Sequence, residues 1–235
     1  MFAVLCVTEN KKSVFRKRRC EVEALLSPVK GAAPFKVLNV TPGRRGIDWR
    51  AVSVAAGSCS KSMLLPQGTE LPFDSGIELF EPHVLPLLIS LNTACANLSG
   101  ASRRSSLLVV DREAVLPDFI ERAVLSASKI TVVTDCPKKY YPCVADLLER
   151  FGAAIRVCDD TDENTCYDAA VTACEKVNAK MVFDAFDTEK MLCNLEIPEA
   201  CRRMCPQEID PFLFLCALFE CCGWRVAGEL TLTLM

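Results

Sequence analysis

Four short apolar runs in the second half of the chain restrict its fold more than anything else in it. They are Leu107-Leu108-Val109-Val110, Ile130-Thr131-Val132-Val133, Ala154-Ile155-Arg156-Val157 and Met181-Val182-Phe183. Asp111, Asp135, Asp159 and Asp184 each follow one of them within two residues. Amphipathic stretches over 115–127, 140–151 and 164–177 separate them and read as helices. Strand and helix alternating at this spacing call for parallel strands joined by crossovers. Strands buried on both faces show continuous rather than alternating apolar residues, as these mostly do. The expected fold is therefore α/β, with a doubly wound, mostly parallel sheet.

Residues 1–100 add a smaller α/β lobe. Strands are expected at 2–8, 22–29, 35–40 and 63–65, with a helix over 49–56 between Asp48 as N-cap and Gly57 as stop. A long apolar helix comes next, opening at Glu81-Pro82 and running to Leu98. Ser99 to Ser106 is the best linker, so the expected domains are 1–100 and 101–235. Beyond Asp184 the sequence predicts helices over 188–195, 198–205 and 211–222, and a final edge strand within 224–235. Gly152 and Gly223 stand where helix C-caps belong.

Charge is divided between the halves. Residues 1–105 hold 14 Lys/Arg against 8 Asp/Glu, and residues 106–235 hold 13 against 22. The basic residues include Lys11-Lys12 and Arg16-Lys17-Arg18-Arg19 around Phe15, a run able to grip a phosphate backbone. With a pI near 5.4 the expected role of that run is a solvated loop, and nucleic acid is not the expected partner. The first residues have no basic n-region and no apolar run is long enough to span a bilayer, so the expected location is cytoplasmic. The 15 cysteines sit mostly at apolar positions, as buried free thiols do in a reducing compartment. No C-x-x-C is present, and His83 is the one histidine, so no paired-ligand zinc site is expected. A cluster drawn from scattered cysteines stays open.

Residues 107–184 resemble, in layout, the nucleotide-binding half of Rossmann-type dehydrogenases. Ile130 to Asp135, the helix after it and Phe151-Gly152-Ala153-Ala154-Ile155-Arg156-Val157 look most like that family. The resemblance implies an NAD(P) site at the carboxyl ends of the strands, near Asp111, Thr134, Asp135 and Asp159 and at the cleft between lobes. This chain departs from the family at the decisive turn. Asp111-Arg112-Glu113-Ala114 contains no glycine, where the family brings backbone N–H groups onto a pyrophosphate. Phosphate-binding P-loop and nucleophile-elbow motifs are missing as well. The expectation is a degenerate Rossmann-like protein with no bound cofactor, non-catalytic, acting by binding a protein partner, a copy of itself or a small regulator. An NAD(P)- or nucleotide-dependent enzyme with an atypical site is the alternative. A nucleic-acid-associated protein using residues 11–19 is a second. The four aspartates could otherwise cap helices or form an acidic rim for Mg²⁺. His83 is expected on the surface in a first helical turn, and the Tyr140-Tyr141 pair could stack on a planar ligand or pack on a loop.

Overall fold

The computed structural model describes residues 1–8, 20–99, 105–161, 164–187 and 195–225. The chain divides into two compact units, residues 1–82 with 197–225 and residues 83–196. The partition differs from a cut at residue 100, because the apolar helix of residues 85–98 packs with the second unit and the helices after 197 with the first.

The first unit is built on β1 (Ala3–Val7), β2 (Glu21–Ser27), β3 (Phe35–Thr41) and β4 (Met63–Leu64), in the order β2-β3-β1-β4. β1 runs parallel to β3 and β4, and β2 pairs antiparallel with β3 as an edge. Alternation decides which helix covers which face. Ala3, Leu5, Leu38 and Val40 join Val52 and Ala56 of α1 (Trp49–Ala56) in one core. Phe2 and Phe35 stack at 5.3 Å on the other face, and Phe214 meets both edge-on. Asp48 caps α1 by accepting from Ala51 N at 3.1 Å, as expected. Of the two later helices, α5 spans Glu199–Met204 and α6 spans Pro211–Cys222. Eight of the twelve residues of α6 are buried, as its all-round apolarity demands. Its ends are set by sequence: Asp210 accepts from Phe212 N and Leu213 N, and Gly223 closes it at φ +70°.

The second unit carries five strands, all parallel: β5 (Ser106–Val110), β6 (Lys129–Val133), β7 (Ile155–Cys158), β8 (Tyr167–Thr172) and β9 (Ala179–Asp184). Their order is β7-β6-β5-β8-β9. Numbered within the unit this is 3-2-1-4-5, the order of the first five strands of a doubly wound dinucleotide-binding sheet. Chain direction across the sheet reverses at β5, so the crevice between β5 and β8 is the switch point. Helix α2 (Leu85–Leu98) packs on β8, β9 and α3 (Glu121–Ser126); α3 in turn meets α4 (Pro137–Phe151), which lies on β7. Gly152 ends α4 in the left-handed region at φ +66°. Val84 is the N-cap of α2, so His83 precedes the helix rather than standing in its first turn. Pro117 starts a short 3-10 turn, leaving α3 shorter than the helix expected over 115–127.

The helix expected over 164–177 is corrected to a strand. Tyr167-Asp168-Ala169-Ala170-Val171-Thr172 is β8, and residues 173–178 return to β9 without a helix. Alanines at 169 and 170 read as helix formers in isolation, but burial between two strands decides the local conformation here. Val177 of the short return packs on the sheet core of Leu108, Val110, Val133, Tyr167 and Ala170, standing in for a helix on that face. The expectations for 188–195 and 224–235 fall largely outside the described residues, as does the basic run of 11–19.

Candidate functional site

Asp111 governs the carboxyl edge of the second sheet. It ends β5 with its side chain buried, and its two carboxyl oxygens accept from Val115 N at 2.9 Å and Leu116 N at 2.8 Å. Its main-chain oxygen accepts from Ala114 N at 3.1 Å. Three consecutive amides of the first turn are thus consumed by one residue. Ala114 closes this turn at φ +53°, a conformation that glycine adopts without strain and alanine does not. Tyr140 of α4, also buried, donates its hydroxyl to Asp111 Oδ2 at 2.5 Å. Burial, with the Asp111 charge and this hydrogen bond adding to it, pushes the Tyr140 phenol far up. Tyr141 beside it is exposed.

Arg112 closes the same edge from above. Its guanidinium makes a two-pronged pair with Glu175, Nε to Oε1 at 2.8 Å and Nη2 to Oε2 at 2.9 Å. Nη1 reaches Asp135 Oδ1 at 3.2 Å and the Asp159 carbonyl at 2.7 Å. One side chain therefore ties together the chain leaving β6, β7 and β8. The bond to Glu175 above all, with Asp135 adding, holds the guanidinium proton more tightly than usual. The Arg112 carbonyl accepts from Asp135 N at 3.0 Å and Thr134 Oγ1 at 3.2 Å, and Lys139 Nζ binds the Glu113 carbonyl at 2.8 Å.

Asp111, Thr134, Asp135 and Asp159 do gather at this edge, all of them within the hydrogen-bond network of Asp111 and Arg112. Thr134 is buried and caps Cys136 N, Asp135 pairs with Arg112, and Asp159 contributes a main-chain oxygen. Asp184, at the end of β9, accepts from Cys174 N and Phe186 N. Cys174 sits at φ +62° in the turn leaving β8, where Thr172 Oγ1 and Glu175 exchange two further hydrogen bonds. Among the described residues no group of three or more His, Cys, Asp or Glu could hold a metal ion.

A cavity of about 220 Å³ lies at the switch point, against the end of β5, Ala173 after β8 and the start of α2. Leu87, Val110, Val115 and Phe186 give it apolar walls; His83, Arg112, Glu113 and Glu175 line its polar side. Sequence reasoning missed Arg112, Glu175 and Asp168. The last, at the amino edge, binds Ser106 N, Ser106 Oγ and Lys180 Nζ; the Lys180 bond above all holds its carboxyl down to about 2. A lone Arg in a glycine-free turn and a Glu beyond an unrecognised strand carry no local signal of their pairing.

Elsewhere, Cys59 is buried in the core of the first unit, and Arg44 and Arg45 stand in a turn closed by reciprocal bonds between Gly43 and Gly46. No described helix is long and apolar enough to cross a membrane. Comparisons with protein-family models, with curated proteins and with solved structures returned no match. The strand order and the edge define an α/β protein whose second unit has a layout compatible with Rossmann-like topology.

Proposed function

We propose that the second unit is a degenerate Rossmann-like domain, non-catalytic, that works by binding or regulation and holds no dinucleotide. One observation carries this reading: the Asp111 carboxyl group already occupies the amides of Val115 and Leu116, with Ala114 N bonded to its main chain. In the family those turn amides meet the pyrophosphate. A diphosphate entering here would have to displace a buried carboxyl group and then lie beside it. The Arg112 bridge to Glu175, Asp135 and Asp159 supports the same reading, since it fills the mouth above the turn. So does the cavity, whose 220 Å³ falls below the roughly 300–1,000 Å³ of ordinary small-molecule sites.

A thermal-shift screen of the full chain with NAD, NADP, ATP and S-adenosylmethionine tests this. A ligand present at a hundred times its Kd adds about 2.7 kcal/mol to the native state, roughly 5–10 °C for a chain of this size. The expected result is no dose-dependent rise with any of the four. A saturating rise with NAD or NADP, lost in a variant of the turn, sinks the reading and favours a cofactor-dependent enzyme.

A further inference from the structure

β9 is the outermost strand of its sheet, and among the described residues no strand lies beyond it. Asn178 gives its carbonyl to Tyr167 N at 3.0 Å, and Tyr167 stands opposite Ala179. Further along, Ala185 N bonds Thr172 O at 2.8 Å while Thr172 stands opposite Asp184, so by the alternation of a strand Met181, Phe183 and Ala185 bond inward to β8. Val182 and Asp184 then present N–H and C=O groups outward. Such an edge is a template for another strand. Its exposed side chains are apolar at the centre, Met181 at 36% and Val182 at 48%.

The sequence of this edge complements itself about one residue. Laid antiparallel across a two-fold axis at Val182, Lys180 faces Asp184 of the second copy, Met181 faces Phe183, and Val182 faces itself. The outward groups of Val182 in the two copies then form the hydrogen-bonded pair on the axis. Met181 with Phe183 falls at the intervening positions where side chains approach most closely. Moving the axis to Met181 or Phe183 loses the charge pairing. Both charges keep bonding capacity for a partner. Lys180 Nζ spends one donor on Asp168, at 2.7 Å, and Asp184 receives Cys174 N and Phe186 N on Oδ1.

We propose that the partner for this edge is a second copy of the same chain, joined β9 to antiparallel β9 across a two-fold axis at Val182, so that one sheet runs through both copies. The contact is isologous, each charge pair occurring twice. It stands on β9 alone and does not depend on the state of the crevice.

Sedimentation equilibrium of the full chain decides it. The wild type is expected to be a reversible dimer. Val182→Lys sets two lysines against each other on the axis and leaves the Asp168 pair intact, so the dissociation constant should rise at least about tenfold. Lys180→Glu faces Asp184 with a like charge and should do the same, and adding Asp184→Lys should bring dimerisation back. Circular dichroism checks that each variant is folded; if Asp184→Lys fails that check, Val182→Lys and Lys180→Glu carry the test. A monomer at every concentration overturns the proposal. A dimer indifferent to Val182→Lys and Lys180→Glu overturns it equally.

Discussion

Asp111 shows how one buried side chain can satisfy the amides of a turn. Its carboxyl group satisfies two turn amides and a phenol in a buried setting. Removing it leaves three donors without an acceptor, and unmade buried bonds cost more than formed ones gain. Asp111→Ala should therefore cost about 3–5 kcal/mol, measured by urea unfolding. Tyr140→Phe removes one donor and leaves the other two served, so about 1–2 kcal/mol is expected. If the two substitutions cost the same, Asp111 is not the centre of this network. Asp111 was legible in the sequence as a strand-end acid able to cap the next turn. Tyr140 was not, because its partner lies 29 residues away and only the packing of α4 brings them together.

At the scale of elements, the helices α5 and α6 bury thiols that the sequence marks as small hydrophobes. Burial pushes Cys201 up to about 12, and Cys205 just past α5 and Cys222 each up to about 11. Cys216, deeper still, is shifted the same way. These groups are held neutral in the folded chain, while the unfolded chain ionises them near pH 8–9. Their folded values are raised, so the associated stability is whole below that range. It is lost as pH climbs toward 11–12, by about 1.4 kcal/mol per thiol for each pH unit crossed. Urea midpoints should therefore fall steeply above pH 9, and less so in Cys201→Ala and Cys222→Ala. A midpoint as steep in those variants as in the wild type would mean other groups cause the fall. The same helices show how far a single sequence reveals its elements. The apolar run and the Gly223 stop placed α6 over 211–222 as found, while the cap at Asp210 had no signal in the sequence distinct from that of a short strand. β8 escaped notice because Ala169 and Ala170 favour no strand by themselves; only their neighbours β5 and β9 make one of them.

For the whole molecule, sheet order matters more than any motif. The order β7-β6-β5-β8-β9 puts the first turn, the Glu175 turn and the ends of β6 and β7 around one crevice. Four aspartates at strand ends announced that edge in the sequence. The charge that crosses it, Arg112, could not be placed there without knowing that β8 exists, since its main partner Glu175 lies just past β8. An open crevice and an internally bridged one are distinguished by whether the turn's amides are free to receive a ligand. Amide hydrogen exchange over residues 111–116, followed with and without millimolar NAD, measures this at the site itself. Slow exchange at Val115 and Leu116, unchanged by NAD, is the expected result. Fast exchange there in the free protein, slowed when NAD is added, would contradict an edge that Asp111 and Arg112 already fill.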